Sequence, residues 1–393
     1  MNHDFRKVLS ATLSAALIAG CIAGCSSDLG PESLPSTTES TVATSDTTEA
    51  STSAAETTEA TTTSASETET QVELGNPVNA NGQLRIEGAN IVNKNGTPYQ
   101  LRGVSSYNFH ECSDVFTDDV IKTLGSDWGC NVVRLAFYGD VNEDPGYGKM
   151  EKQYFEEMCN VTDSLIEQGL YVIIDWQINE NGDPMQNKDV AVDFFSKVSA
   201  AYGDKENIIY EICSNPNGEI YNDPDSGPVD WPRIKEYAEA VTAAIRENDP
   251  DNIIICGTRD NCLEIMDPAE DSLADENTCY AYHFSGSLNG FQDDIVNAGK
   301  KGICVFASEW YPVSNWDEEV TMLDNTKDWL DFLDSNKISW VSWPMGSNGQ
   351  VSFDLLKTLD DEFTEEVRAK GHWDDVNLSR LGKFVKDRLG SYS

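Results

Sequence analysis

Positive charge is scarce in this chain. Its 393 residues hold 27 Lys and Arg against 68 Asp and Glu, a formal net charge of -41, with a pI of about 4.2. Nucleic-acid binding through phosphate contacts needs clustered Lys and Arg, so that class is excluded. A paired CxxC motif is also missing, which argues against a zinc site. There is no Gly-rich phosphate loop, no cluster of metal ligands and no Ser–His–Asp arrangement. Nothing therefore implies a metal or a cofactor. The acidity suits work among neutral ligands such as polysaccharide; the plainer reading is solubility and habitat.

The apolar run Val8 to Gly20 follows Arg6 and Lys7. It is too short to cross a membrane as a stable helix and reads as a secretory signal. Two lipobox-like endings follow, "IAGC" closing at Cys21 and again at Cys25. Cys25 is the favoured lipidation site because Ser26 and Ser27 open a polar segment directly after it; an ordinary cleaved signal peptide is the alternative. Residues 1–25 are thus expected to be a lipoprotein signal and the mature protein to sit on the outer face of a membrane, held only by its lipid.

Residues 26–75 carry eight Glu, two Asp and no Lys or Arg, with "TTEA" at 47 and again at 57. Such a segment buries too little apolar surface to offset its ordering entropy, and like charges extend it. It is expected to be a disordered stalk, with O-glycosylation a further option.

From Asn76 to the end the pattern changes. "GANIVNKNGTPYQL" holds Asn95-Gly96 between apolar stretches, a hairpin signal. Eight short apolar runs follow: "YQLRGV", "NVVRLA", "YVIID", "IIYEIC", "NIIICG", "CYAYHF", "ICVFAS" and "ISWVSW". Near-continuous apolar runs of this length suit strands buried on both faces, as in parallel sheets. Between them lie helical faces, such as Ala191, Phe194, Phe195 and Val198, or Ile234, Ala238, Val241 and Ile245. Eight strand–helix units over about 300 residues predict a (β/α)8 TIM barrel with a short N-terminal β-hairpin. The eight cysteines of this region fall partly inside the apolar runs, where Cys acts as a small hydrophobe. Their disulfide state is left open.

In a barrel of this kind the chemistry sits at the C-terminal ends of the strands. Those ends supply Ser105, Ser106, Tyr107, Tyr138, Asp175, Trp176, Gln177, Ser214, Asn215, His283, Ser285, Glu309, Trp310 and Trp343, with Arg134 inside the second run and Glu111 just beyond the first. Flat aromatic faces beside hydrogen-bonding groups are what sugars require.

Between residues 84 and 386 the chain resembles the bacterial endoglucanases of glycoside hydrolase family 5. The resemblance is densest in "YVIIDWQINENGDPMQNKD", "NIIYEICSNPNGE", "IRENDPDNIIICGT" and "SEW". It implies that Glu309 is the catalytic nucleophile, that Arg134, Tyr138 and His283 line the substrate site, and that Trp343 stacks on a sugar. For Arg134 a purely structural role stays open, as does a core or rim role for Trp343. The departures are equally specific. A family histidine falls at Tyr107, a stacking tryptophan at Glu111, the histidine of "DWH" at Gln177 and a sugar-holding asparagine at Ser214. The tyrosine that holds the nucleophile falls at Ser285 and a sugar-gripping lysine at Asn348. The acid/base glutamate falls at Asn215, where "YEIC" and "PNG" fix the alignment on both sides.

A retaining glycosidase needs two carboxyl groups about 5 Å apart, and an amide supplies no titratable proton. The resemblance with its departures therefore predicts a monomeric surface protein, catalytically inactive or severely impaired, that binds β-glucan or a related polysaccharide or serves as a scaffold for a cell-surface protein partner. The alternative is an active retaining endoglucanase whose proton donor has moved to Glu111 or Glu180.

Overall fold

The computed structural model describes residues 76–139, 147–178, 182–218, 227–286, 290–312, 323–346, 354–357 and 369–392. The signal and stalk segments, Glu180 and Asn348 lie outside the described residues.

Strands β1 (Arg85–Glu87) and β2 (Asn90–Val92) form a two-stranded antiparallel sheet with Ile86 opposite Ile91. This hairpin turns at Gly88, one turn earlier than the Asn95-Gly96 signal implied. Asn95-Gly96 closes a second turn, in which Asn93 Oδ1 accepts from the N–H groups of Asn95 and Thr97. That turn yields only an isolated bridge between Val92 and Pro98. The Pro98 nitrogen has no hydrogen to donate to a continuing ladder.

Strands β3 (Arg102–Asn108), β4 (Val132–Tyr138), β5 (Tyr171–Gln177), β6 (Ile208–Ser214), β7 (Ile254–Cys256), β8 (Thr278–Ser285), β9 (Val305–Tyr311) and β10 (Ser339–Met345) pair in chain order, and β10 closes on β3. Every pairing in the ring is parallel. All eight apolar runs became strands of one closed barrel.

Alternation along each strand sorts the side chains into two cores. On β5, Val172, Ile174 and Trp176 join the cluster shared with the surrounding helices, while Tyr171 and Ile173 join a second cluster. That second cluster is the barrel's own interior, with Leu101, Val132, Ile209, Ile255, Phe306 and Val341. Val78, Leu84 and Ile91 from the N-terminal helix and hairpin belong to it too, so this segment plugs one end of the barrel. The Tyr171 hydroxyl donates to the Gly82 carbonyl at 2.6 Å and ties the plug to β5.

Both predicted helical faces are buried as expected. The helix Lys188–Tyr202 buries Ala191, Phe194, Phe195 and Val198. The helix Trp231–Arg246 buries Ile234, Ala238, Val241 and Ile245, and starts where Asp230 caps the N–H of Arg233. Each fully buried large apolar side chain contributes about 1.5–3 kcal/mol. The eight described cysteines are free thiols; seven are buried and Cys159 is half-buried.

Candidate functional site

Above its apolar floor the barrel interior turns polar. Arg134 on β4, Asp175 on β5 and Glu211 on β6 are all completely buried. The strand register places Ala136 beside Asp175 and Asp175 beside Glu211. Arg134 Nε donates to Glu211 Oε2 at 2.6 Å, and Nη1 donates to Ser105 Oγ at 3.0 Å. Arg134 Nη2 lies 2.9 Å from Asp175 Oδ2, and Nη1 lies 3.7 Å from Glu309 Oε2. One guanidinium thus faces three carboxyl groups. Its planar fork of five donors is the one side chain able to do so.

A second chain of hydrogen bonds crosses the barrel. Ser308 Oγ on β9 donates to Glu211 Oε1 at 2.6 Å. His283 on β8 contacts Ser308 Oγ through Nε2 at 3.0 Å and Asn215 Oδ1 through Nδ1 at 2.6 Å. Asn215, the residue at the expected acid/base position, is therefore joined through His283 and Ser308 to Glu211, and through Glu211 to Arg134.

The charges follow from these partners. For Glu211, burial works against the carboxylate, but Arg134 and then His283 outweigh it and hold its pKa at about 2. For Asp175, burial dominates and pushes the carboxyl well above the usual range against the pull of Arg134, with Glu211 adding to the rise. For His283, burial pulls down, but the adjacent Cys262 sulfur and the carboxylates of Glu309 and Glu211 lift its pKa to about 10.

A histidine raised above its unfolded value contributes stability that is complete below about pH 6.5. That contribution disappears as the pH rises through about 10. Thermal unfolding measured from pH 7 to pH 10 should therefore fall more steeply in the native chain than in His283→Gln. Equal slopes would contradict a charged His283.

The backbone around Asn215 is shaped by close approach. Asn215 has φ 58°, in the left-handed region that Asn tolerates better than most residues. Asp260, Asn261 and Cys262 follow at φ 54°, 57° and 65°, and the Asn261 N–H donates to the Pro216 carbonyl at 3.1 Å. At Gly257 a Cβ would stand 1.9 Å from the Cys213 carbonyl oxygen and 3.1 Å from Pro216 Cδ. At Gly182 it would stand 1.6 Å from the Asn217 carbonyl oxygen. Only glycine permits either approach, and together they hold the segment 213–217 from two sides.

Glu309 emerges at the barrel mouth on β9, beside His283 in register and 6 % exposed. Its Oε2 has no hydrogen-bond partner among the described residues. Gln177 and Ser214, two of the residues that depart from the family pattern, are register neighbours across β5 and β6. Tyr107, 7 % exposed, lies between Tyr138 and Trp343, with ring centroids 5.9 and 5.7 Å away. Trp343, 9 % exposed, also has the Tyr311 ring near it, with centroids 5.6 Å apart. Tyr311 is in register with Ser285, so a phenol stands on the strand next to the position where a phenol is missing.

The structure gathers Arg134, Asn215, His283 and Glu309 into one connected group, with Tyr107, Tyr138 and Trp343 as its aromatic wall. It does not bring Glu111 into that group. The Glu111 carboxyl hydrogen-bonds Asn108 alone among the described residues, at 3.2 Å. Glu211, Ser308 and Tyr311 were not singled out from the sequence. A glutamate within "IIYEIC" and a serine within "ICVFAS" were the available signal, because a polar group inside a doubly buried strand needs a partner.

A closed barrel with aromatic and carboxyl groups at the C-terminal strand ends has many uses, and comparison with known proteins narrows them. The model of the cellulase family, glycosyl hydrolase family 5, matches residues 92–349. The chain belongs to glycosyl hydrolase family 5. Endoglucanase N of Pectobacterium atrosepticum is 35% identical over 319 residues, covering 80% of this chain and 66% of that protein. Endoglucanase A of Evansella cellulosilytica is 35% identical over 300 residues, covering 75% and 57%. The chain thus spans less than two thirds of the length of these curated relatives. Among solved structures, the catalytic domain of Thermobifida fusca endoglucanase Cel5A is 28% identical with a TM-score of 0.71, covering 80% of this chain and 100% of that domain. A single-substitution variant of that domain has been solved in complex with cellotetraose.

Proposed function

We propose that this family 5 chain is an exported, lipid-anchored β-glucan-binding protein that does not cleave unactivated glucans at cellulase rates. The observation that carries the reading is the 2.6 Å contact between Asn215 Oδ1 and His283. An amide tied in this way has no proton to give a departing sugar alkoxide, and general acid–base help is worth roughly 10²–10⁴ in rate. Glu309 is the nucleophile position that remains. Gln177, Ser214 and Ser285 deepen the loss, since Ser285 is too short to hold Glu309 as a tyrosine would. Binding is assigned to the aromatic wall, with Trp343 as sugar platform. Anchoring rests on Cys25, or Cys21, and the intact mass of membrane-extracted protein reads which one carries lipid.

The competing reading moves the proton donor to Glu111. One observation favours it: burial raises the Glu111 carboxyl, with the Asn108 hydrogen bond opposing, and a general acid needs a raised pKa. Against it stands the anchoring of that carboxyl to Asn108 rather than to any group at Glu309.

The test pairs binding with turnover. Affinity electrophoresis on β-glucans and xylan should show retardation, weakened about 3- to 10-fold by Trp343→Ala, as expected for a lost stacking contact of roughly 0.5–1.5 kcal/mol. Carboxymethylcellulose, lichenan and mannan should release no reducing sugar above the Glu309→Ala background. Hydrolysis abolished by Glu309→Ala would overturn the reading. Absence of binding to every glycan would replace the glycan by a protein partner.

A further inference from the structure

With the Asn215 amide oxygen turned toward the ring, the hydrogen-bond chain through His283 sets both ring protons. Ser308 Oγ gives its hydrogen to Glu211 Oε1, so it meets His283 Nε2 with a lone pair and Nε2 must donate. The other ring nitrogen faces the Asn215 carbonyl oxygen at 2.6 Å and must donate as well. A ring that donates from both nitrogens is a cation. The Asn215 amide is planar; with Oδ1 turned to the ring, its NH₂ group faces the opposite way. Beside this pair, Glu309 keeps a buried oxygen with no hydrogen-bond partner among the described residues, and Arg134 Nη1 lies 3.7 Å from it. Where the family pattern places a second carboxylate, this site has a neutral amide backed by an imidazolium. Like charge no longer repels an anion at the position where a leaving group departs and an acceptor arrives.

We propose that Glu309 is a working nucleophile toward β-glucosyl donors whose leaving group departs as a stable anion, and that the glucosyl group is then passed to an anionic acceptor instead of water. The donor class is glycosides of acidic aglycones, such as phenols of low pKa and carboxylic acids. This rests on the reading that Asn215 occupies the proton-donor position.

In the first step a Glu309 carboxylate oxygen bonds to C1. The bond from C1 to the leaving oxygen breaks, and its electron pair departs with that oxygen; no proton moves. In the second step the anionic acceptor attacks C1 with its own lone pair, the bond to Glu309 breaks, and the carboxylate returns with the β configuration restored. Water is disfavoured as acceptor because it must lose a proton as it attacks, and Asn215 has no basic atom to take it. The ring pKa of about 10, where burial is outweighed by Cys262, Glu309 and Glu211, keeps His283 charged through the neutral range in which the transfer would run.

The full chain is mixed with 2,4-dinitrophenyl β-cellobioside. The expected result is a burst of one dinitrophenolate per protein followed by slow turnover, with the cellobiosyl group found by mass spectrometry on the peptide that contains Glu309. Azide should raise the slow turnover by about tenfold or more and yield β-cellobiosyl azide. Asn215→Asp should reduce that acceleration about tenfold through like-charge repulsion. Glu309→Gln, checked for folding by its thermal unfolding, should show no burst. Dinitrophenolate release that survives Glu309→Gln, a missing burst and label, or turnover unmoved by azide would each overturn the proposal. If carboxymethylcellulose is untouched and the burst is missing, the transfer inference fails while the proposed function stands. Glu309-dependent hydrolysis of carboxymethylcellulose would sink the proposed function instead.

Discussion

Replacing Arg134 with methionine should destabilise the fold by about 3–5 kcal/mol, the range for removing one partner of a buried ion pair. Arg134 is fully buried and is the cation that faces Asp175, Glu211 and Glu309. Methionine fills much of the volume, so the loss would report charge rather than a cavity. The contribution of Glu211 to the pH dependence should change sign. In the native chain the Glu211 pKa, at about 2, lies below its unfolded value. Its contribution is therefore present above about pH 4.3 and is lost as the pH falls toward 2. Without Arg134, burial is expected to push Glu211 upward, so the variant should lose stability as the pH rises from 5 to 7. Urea unfolding at both pH values measures this. Adding Glu211→Gln and Asp175→Asn should recover most of the loss, because the uncompensated charge is then gone. A loss under about 1 kcal/mol in the single variant, or no recovery in the triple, would show that the charged layer does not depend on Arg134.

Restoring the family's acid/base residue alone should do little. Asn215→Glu should raise carboxymethylcellulose hydrolysis less than about tenfold over background, well short of the roughly 10²–10⁴ that a placed general acid is worth. The introduced carboxyl would meet His283, whose positive charge favours its ionised form, whereas a proton donor must hold its proton at the working pH. The same site would still carry Gln177 beside Ser214, and Ser285 where a tyrosine should hold Glu309. Adding Ser214→Asn, Gln177→His and Ser285→Tyr should bring a further gain of about 10²-fold or more, because catalytic partners act as a unit. Initial rates of reducing-sugar release, with Glu309→Ala in the same background, measure both. A large gain from Asn215→Glu alone would show that the remaining positions were never limiting.

The two variants probe different layers of one barrel, and the layers differed in how readable they were. Apolar runs such as "YVIID" announce a strand because every residue in them must face either the barrel interior or a helix, and that requirement is written within five residues. The helical faces at 191–198 and 234–245 are equally local. The hairpin lies one turn earlier than the stronger Asn95-Gly96 signal points, because Gly88 closes the ladder and Pro98 prevents the later turn from extending it. Asn215 was identifiable because the strings on both sides leave its alignment no freedom.

What Asn215 touches was not identifiable in that way. Its partner His283 lies 68 positions away, and Ser308 lies 97 positions from Glu211. These residues meet only because β6, β8 and β9 enter the same ring with a particular stagger. Glu111 sits at the correct end of the barrel by chain order, yet its carboxyl turned to Asn108. Tyr311 came to stand beside Ser285 through the β8–β9 register. Local pattern alone was enough for the eight strands and the helices between them, since burial on two faces and the spacing of helical faces are properties of short segments; the family was legible only as a resemblance of whole strings such as "NIIYEICSNPNGE". Closure of the barrel decided the surroundings of His283, the contact between Asn215 and His283 and the approach of Arg134 to Glu309. Those depend on distances between strands remote in sequence, and charges held in a dry interior are set by whichever groups the register brings near.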